Sequence, residues 1–400
     1  MNEPSKNIRQ LYHDHTITCY PRASGIVMER GEGTYVWDLD GKQYLDFSCG
    51  IAVNNLGHCH PKIVETIKQQ ASMLLHTSNQ FYNIPHAKLA QKLTHASGLS
   101  HAFFCNTGAE ANEGSLKLAR KWGATQGKSE IICFNEAFHG RTLGAISATR
   151  KEKLRSGYGP FLDEFVAVPA FDLCAIEKAI SPKTAAIIME PIIGGIGVVE
   201  SPQGFAESLR ELADKHNFLI IFDEMQSAFG RTGKTFAYQH YKMKPDILSL
   251  AKALGSGVPI GAIVCREGLQ DVYGLGGHGT TFGGNPLSSA VGCTTLDIIT
   301  EASFLKSVAE RGEYLQRRLK ELSKKHSKIL DSVRGRGLMV GVSLHVSSSD
   351  LLVAMSKNGL LCVGGGKDSI RVYPPLTISN DEIDEGCDIL EKTVSNFTIK

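Results

Sequence analysis

The sequence of 400 residues predicts an α/β protein built on a doubly wound, mostly parallel sheet. The first observation is a set of short runs that are almost entirely apolar, as expected of parallel strands covered on both faces. The second is that amphipathic stretches separate these runs, an alternation that is typical of βαβ units. The predicted strands are residues 130–134, 185–189, 218–222, 247–250 and 260–265.

Two predicted helices belong to the same pattern. Residues 107–122 are expected to be helical because their apolar positions recur about every 3.6 residues on one face, and Asn106-Thr107 forms a good N-cap before them. The amphipathic segment 205–216 is the second helix, and it separates two of the predicted strands.

The two ends of the chain have different patterns. The first 55 residues predict short strands joined by turns, and residues 335–373 predict a small α+β unit. A basic helix follows residue 300, and a solvated surface helix explains it far better than a nucleic-acid-binding patch does. The near-balance of 43 Lys and Arg against 41 Asp and Glu, a net charge of +2, also argues against a dedicated nucleic-acid-binding protein.

Composition indicates a reduced, cytoplasmic protein. The ten cysteines stand singly without a CxxC pair, and no HExxH motif occurs, so we expect neither a redox pair nor a metal site. The first 15 residues contain no apolar stretch and include Glu3 and Asp14, which disfavours a signal or transit peptide. No run approaches about 20 unbroken apolar residues, so no membrane span is expected.

Two charged residues follow predicted strands and are candidates for chemistry. Asp223 ends the apolar run 218–222, and ligands of open parallel sheets bind beyond the carboxyl ends of the strands. Lys252 follows the run 247–250 among small apolar residues, where a desolvated amine can attack a carbonyl group. Taken singly, Asp223 could equally be a turn or N-cap residue, and Lys252 could extend from a helix end to solvent.

Two glycine-containing segments could bind phosphate. Residues 106–110 open a predicted helix, where exposed N–H groups, the helix dipole and the Thr107 hydroxyl suit a phosphate monoester. Residues 276–285 place Thr280 and Thr281 between glycines, although a flexible surface loop would look the same. Neither segment is a Walker loop.

Together these features are what pyridoxal 5'-phosphate requires. A lysine forms the Schiff base with the aldehyde, and a carboxylate keeps the pyridine nitrogen protonated so that the ring accepts electrons. A helix N-terminus and a threonine bind the phosphate. Phe138, in the segment 137–142, could supply an aromatic face against the ring.

Six segments in order along the chain resemble class-III pyridoxal-phosphate aminotransferases of fold type I, and most closely the acetylornithine/ornithine aminotransferase group within them. The resemblance covers nearly the whole chain. The segments are GEGTYVWDLDGKQYLDFSCGIAVNNLGHCHPKIV (31–64), FFCNTGAEANEGSLKLARK (103–121), AFHGRT (137–142), FDEMQSAFGRTGKTFAYQHY (222–241), PDILSLAKALGSGVPIGA (245–262) and GTTFGGNPL (279–287).

The resemblance implies a role for each residue that matches the family motifs. Lys252 would be the Schiff-base lysine and the base for the proton shift, and Asp223 would pair with the pyridine nitrogen. The remaining cofactor-binding residues would be Thr107, Gly108, Ala109, Phe138, Met225, where the family usually has valine, Gln226, and Thr281, which would reach the phosphate of the neighbouring subunit in a homodimer. The substrate-binding residues would be Arg141, Thr280 and Arg371.

One segment departs from the family pattern. The family typically reads EPIQGEGG, whereas residues 190–197 here read EPIIGGIG. Gly195 therefore replaces a glutamate that pairs in relatives with the arginine corresponding to Arg371, and Ile193 replaces a glutamine. The resemblance thus implies a roomier and more apolar pocket, while the cofactor chemistry is untouched.

The resemblance also implies the domain organisation and the activity. Residues 1–55 would pack with the small domain, residues 56–300 would form the large cofactor-binding domain, and residues 301–400 the C-terminal small domain. The expected reaction is a ping-pong transfer of an amino group from an ornithine-type amine to 2-oxoglutarate. Another ω-amino acid aminotransferase of 4-aminobutyrate or lysine type, an aminomutase or racemase, and a catalytically silent protein on the same fold remain open.

Overall fold

The computed structural model describes residues 3–22 and 24–398. The chain forms two compact units. The large unit consists of Lys62–Gly195 and Val199–Lys306, and the small unit of Met1–Pro61, Ile196–Val198 and Ser307–Lys400.

The elements alternate between strand and helix through the middle of the chain. The helices are α1 Glu3–His15, α2 Cys49–Ala52, α3 Pro61–Ala71, α4 Ile84–Ser97, α5 Gly108–Ala124, α6 Leu143–Ala148, α7 Glu152–Arg155, α8 Leu173–Ala179, α9 Phe205–His216, α10 Pro286–Ile299, α11 Ala302–Lys325, α12 Ser348–Lys357 and α13 Asn380–Ser395. The strands are β1 Met28–Glu32, β2 Tyr35–Asp38, β3 Gln43–Asp46, β4 His101–Cys105, β5 Glu130–Phe134, β6 Phe165–Val168, β7 Thr184–Met189, β8 Ile192–Ile193, β9 Val199–Glu200, β10 Leu219–Asp223, β11 Ile247–Leu250, β12 Gly261–Cys265, β13 Leu330–Arg336, β14 Met339–Leu344, β15 Leu360–Leu361, β16 Val363–Gly364 and β17 Ser369–Val372.

The large unit contains a seven-stranded sheet in the order β4-β12-β11-β10-β7-β5-β6. Its strands pair in parallel except for β12, which is antiparallel to both β11 and β4. Every residue of β7, β10, β11 and β12 is buried, which explains the nearly unbroken apolar runs of the sequence. Helix α5 packs on this sheet with its small and apolar side chains.

The predicted strands and helices of this unit agree closely with the structure. The strands predicted at 130–134 and 247–250 have the bounds of β5 and β11. The strands predicted at 185–189 and 260–265 differ by one residue at the start, and the one predicted at 218–222 is shifted by one residue at both ends. The predicted helix 205–216 is α9, and α5 begins directly after its predicted N-cap, Thr107.

The small unit contains two four-stranded sheets, β1-β2-β3-β15 and β13-β14-β17-β16. The short strand β15 pairs in parallel with β3, so the N-terminal segment and the C-terminal part of the chain share one sheet. Short strands were predicted for all of the first 55 residues. That prediction is wrong for residues 3–15, which form α1, a mostly exposed helix whose apolar face is short.

Within residues 3–22 and 24–398, none of the helices combines the length with the apolar character that crossing a membrane requires.

Candidate active site

Asp223 is a buried carboxylate and the last residue of β10, a central strand of the large sheet. It is 3% exposed. Its Oδ2 atom accepts hydrogen bonds from Asn112 Nδ2 at 2.7 Å and from His139 Nδ1 at 2.8 Å. Its Oδ1 atom accepts one from the Met225 N–H at 3.1 Å. Three donors thus fix the carboxylate, which can still accept a proton-bearing nitrogen from a ligand.

His139 is held by its surroundings in one tautomer. Its ring is buried, and because a carboxylate only accepts, Nδ1 must carry the proton of the bond to Asp223. Its backbone N–H donates to the Thr149 hydroxyl at 2.9 Å, and its carbonyl accepts from Asn112 Nδ2 at 2.7 Å. His139 Nε2 and Asn112 Oδ1 have no hydrogen-bond partner among the described residues, so both can serve a ligand.

Lys252 follows β11 by two residues and has a strained backbone. Its φ of 45° lies in the left-handed region, which costs a residue with a side chain about 1–3 kcal/mol. The neighbouring Ala251, Ala253 and Leu254 are buried and hold this conformation. Strain of this kind persists where packing imposes it and is frequent at functional sites.

A cavity of about 280 Å³ lies among these side chains. This is close to the lower end of the roughly 300–1,000 Å³ that is usual for pockets that bind small molecules and cofactors. The lining residues all belong to the large unit. They are Gly108, Ala109, Asn112, Phe138, His139, Gly140, Arg141, Glu190, Asp223, Met225, Gln226 and Lys252.

Three comparisons show which known proteins the chain resembles. The family model described as Aminotransferase class-III matches residues 19–394. An acetylornithine aminotransferase of Methanocaldococcus jannaschii is 46% identical over 98% of both chains, and an acetylornithine/succinyldiaminopimelate aminotransferase of Photorhabdus laumondii subsp. laumondii is 42% identical over 97% of this chain and 98% of the relative. The crystallised ornithine aminotransferase of Toxoplasma gondii, with partial occupancy of pyridoxal phosphate at its active site, superposes with a TM-score of 0.93 at 30% identity, over 97% of this chain and 94% of that one.

The chain belongs to the class-III aminotransferases.

The predicted family, fold type I, enzyme class and cofactor are thereby confirmed, and this class-III aminotransferase depends on pyridoxal phosphate. When bound, that cofactor supplies an aldehyde that takes up the amino group and a ring that withdraws electrons from the neighbouring carbon. The substrates of such an enzyme are small molecules.

The cavity of this aminotransferase fits its cofactor. Phe138 and Met225 provide an aromatic and a thioether surface for a ring, and Asp223 an acceptor for a ring N–H. A Cβ atom on Gly108 would lie 2.8 Å from Met225 Sδ, so only glycine leaves this space open. The unpartnered polar atoms of Asn112, His139 and Glu190 also face a site that is built for a polar ligand.

The N-terminus of α5 is arranged to bind an anion. Glu110 Oε2 accepts from the N–H groups of Asn106 and Thr107, at 2.6 Å and 3.2 Å, and Thr107 Oγ1 accepts from the Glu110 N–H at 3.2 Å. This capping box does not use the N–H groups of Gly108 and Ala109, which line the cavity. These two N–H groups are available for the phosphate of the cofactor.

Arg141 lies on a loop that Glu113 holds in place. Glu113 Oε1 accepts from the N–H groups of Gly144 and Ala145, at 2.9 Å and 3.0 Å, and from the Thr142 hydroxyl. The carboxylate therefore caps the start of α6 and fixes the preceding turn. Arg141 lines the cavity from this turn and is exposed, so its guanidinium can meet a carboxylate that enters from solvent.

The structure gathers eight of the twelve predicted site residues around the cavity and places four elsewhere. Thr107 is exposed and its hydroxyl caps α5. Thr280 Oγ1 accepts from Asn106 Nδ2 at 3.0 Å, and Thr281 is exposed on the same loop. Arg371 lies on β17 of the small unit, where its Nε donates to the Gly364 carbonyl at 2.8 Å.

Sequence reasoning missed four residues that line the cavity, Gly140 and three polar ones. Asn112 lies one turn into α5 from Gly108, but a single polar residue inside a helix has no distinctive signal. His139 stands in the AFHGRT segment. Glu190 directly follows strand β7, just as Asp223 stands at the end of the neighbouring strand β10. The strand-end position of Glu190 was the one signal that could have revealed it.

Proposed function

We propose that this class-III aminotransferase moves the amino group of an ornithine-type donor, such as acetylornithine or ornithine, to 2-oxoglutarate in a ping-pong reaction. The observation that carries the proposal is the convergence of Lys252, Asp223 and Arg141 on one cavity of cofactor size. The names of the relatives point to the same kind of donor.

Five of the cavity residues have the following tasks in this proposal. Lys252 Nζ holds the cofactor and then moves a proton from the donor carbon, which requires its position among buried apolar neighbours. Asp223 holds the protonated ring nitrogen, with Asn112 and His139 as its supports. Gln226 binds the ring hydroxyl from its buried position at the cavity.

The substrate carboxylates are assigned to arginines. A guanidinium binds a carboxylate through two parallel hydrogen bonds, and both the donor and 2-oxoglutarate carry carboxylates. We assign this task to Arg141, together with Arg371, and place Thr280 near the substrate. Thr107 and Thr281 complete the phosphate site, Thr281 from the second subunit.

A half-reaction screen tests the donor. The holoenzyme is mixed with acetylornithine, ornithine, succinylornithine, 4-aminobutyrate and lysine in turn, and the conversion to the pyridoxamine form is followed by absorbance. We expect an ornithine-type amine to react fastest, and 2-oxoglutarate to restore the starting spectrum. Turnover of an amine without any oxo acid would instead indicate an aminomutase or racemase.

A donor whose acyl group bears an additional carboxylate is a second candidate. Lys151 Nζ lies 2.8 Å from where a Cβ atom on residue 195 would stand, and it donates to the Gly195 carbonyl at 3.2 Å. A positive charge therefore occupies the place where the family motif has a glutamate. A succinylated amine, of the kind named for the Photorhabdus laumondii subsp. laumondii relative, would suit that charge.

Gly195→Glu tests this second candidate. The new carboxylate would lie against Lys151 and neutralise it, so we expect kcat/KM for succinylornithine to fall about tenfold, with acetylornithine changed by less than about threefold. Lys151→Met is the matched control, because it removes the same charge without a new side chain at residue 195. Equal changes for both donors in the two variants would exclude a role of Lys151 in donor choice.

We also propose that the enzyme is a homodimer. Two loops of the large unit present exposed apolar side chains, and Asn79 Nδ2 ties them together through the carbonyls of Thr280 and Gly283, at 3.0 Å and 3.1 Å. The exposed apolar residues of these loops and of the start of α4 are Met73, Leu74, Leu75, Phe81, Tyr82, Ile84, Leu275 and Phe282. Monomers seldom expose this many apolar side chains on two linked loops, and Thr281 lies on one of these loops, as a phosphate ligand for a second copy must.

Phe282→Asp tests the dimer. Phe282 is 59% exposed and packs on the ring of His76, so a charge there would be buried in the interface and separate the subunits. We expect sedimentation to show a monomer, with pyridoxal phosphate bound at least about tenfold more weakly because Thr281 of the second subunit is lost. Leu162→Asp, at an exposed leucine outside the two loops, should leave the dimer intact. A dimeric Phe282→Asp variant would exclude this surface as the interface.

A cytoplasmic location completes the proposal. All ten cysteines are free thiols, as expected in a reducing compartment.

A further inference from the structure

Glu190 has a buried carboxyl group at the cavity, and the proposed reaction gives this group no task. It follows β7 directly and is 5% exposed. It lines the cavity together with Asp223 and Lys252. Its Oε1 atom has no hydrogen-bond partner among residues 3–22 and 24–398, although a buried carboxyl oxygen normally has one. The atom is therefore available to a ligand.

The sheet places Glu190 beside Asp223. Strands β7 and β10 are parallel, and Met189 is paired with Phe222, so Glu190 and Asp223 stand at the next position of neighbouring strands. Neighbouring strands lie about 4.8 Å apart, and both side chains line the same cavity. Two buried carboxylates this close do not both ionise without a large cost. Asp223 receives hydrogen bonds from Asn112 and His139, so the shared proton belongs on Glu190.

The charges around Glu190 agree with a proton on Glu190 and a negative charge on Asp223. Burial first, and the charge of Asp223 second, raise the pKa of Glu190 to about 7. Three neighbouring groups lower the pKa of Glu190 but do not offset the effect of burial. They are His139 in the 137–142 loop, Lys252 after β11 and Lys151 before α7. Because the pKa is raised, the neutral carboxyl is the form present below about pH 7, and it is lost as the pH rises through that value.

We propose that Glu190 contacts the cofactor as a neutral acid and donates a hydrogen bond from its carboxyl to the negatively charged ring oxygen of pyridoxal phosphate. A neutral carboxyl suits this task because it supplies a donor to an anionic oxygen without adding another negative charge beside Asp223. The inference rests on the proposed function, in which this cavity holds the cofactor ring.

Three substitutions separate a neutral donor from an anion. In Glu190→Gln the amide keeps a donor and the size of the neutral carboxyl, so the dissociation constant for pyridoxal phosphate should stay within about threefold of the parent value. In Glu190→Ala the donor is lost, and we expect binding to weaken about tenfold or more. Glu190→Asp draws the carboxyl back by one carbon and should resemble alanine. Binding is measured by fluorescence titration of the apo protein, whose thermal melting reports the fold of each variant.

The pH dependence gives a test that does not require the alanine variant to fold. Binding by the parent protein should weaken above about pH 7 relative to Glu190→Gln, whose amide does not titrate. Parallel curves for the two proteins, or a glutamine variant that binds as weakly as the alanine one, would overturn the proposal, and so would an alanine variant that binds as the parent does. Failure of the proposed function would look different, since the parent protein itself would then not bind pyridoxal phosphate.

Discussion

Lys252→Ala is expected to lower kcat/KM by about 10⁴-fold or more, the largest effect of any single substitution in this protein. No other lysine lines the cavity, among the residues that the structure describes, so no other amine can take the role that we propose for Nζ in holding the cofactor and moving the proton. The protein should still bind pyridoxal phosphate through the α5 N-terminus and Asp223. Reduction with borohydride should leave no cofactor attached to the chain, as mass spectrometry would show.

Backbone strain at this residue calls for a second variant. Residue 252 has a φ of 45°, which glycine adopts without cost and alanine does not. If the amine is what matters, Lys252→Gly and Lys252→Ala lose activity equally, whereas a loss caused by the backbone would be smaller in the glycine variant. Lys215→Ala, on the exposed face of α9, is a control for lysine removal in general. Turnover of the alanine variant within tenfold of the parent would refute the assignment of Lys252.

The parts of the site that the sequence could predict are those that depend on one segment at a time. Asp223 and Lys252 follow nearly unbroken apolar runs that favour buried strands, and the capping residues before α5 are adjacent in sequence. Asn112 and His139 acquire their importance only by meeting at Asp223, across 111 and 84 residues of sequence respectively. No local pattern encodes such a meeting, because it depends on how α5 and the 137–142 loop pack over the sheet.

A similar reason explains the failure at the N-terminus. Helix α1 buries only Ser5 among the residues of its span, and its apolar stripe is limited to Ile8, Leu11 and Tyr12, which cover little more than one turn. Leu11 and Tyr12 are exposed on it. Periodicity detects helices that pack against a core, and it has little to detect in a helix that remains at the surface of its own unit.

Asp223→Asn is expected to lower kcat by about 10²–10³-fold, the second largest effect. The carboxylate accepts from Asn112 Nδ2 and the His139 Nδ1–H through one oxygen, and from the Met225 N–H through the other. In the asparagine variant the amide oxygen can replace Oδ2, which accepts from Asn112 and His139. The NH₂ group would then stand in place of Oδ1, facing the Met225 N–H and presenting a donor to the ring nitrogen. The negative charge that keeps this nitrogen protonated is also lost. Steady-state rates and the absorbance spectrum of the bound cofactor measure the change.

Asp246→Asn provides the matched comparison, because it alters another buried aspartate of the same sheet region. Asp246 accepts from Arg210 at 2.7 Å, Arg266 at 2.5 Å and the Ile220 N–H at 2.7 Å, and it does not line the cavity. Removing its charge leaves two arginines less well paired, so the melting temperature should fall while kcat per folded molecule is retained. If Asp223→Asn also lost only stability, its carboxylate would be a structural anchor for Asn112 and His139. A loss of kcat at unchanged melting temperature instead locates its function at the ring nitrogen.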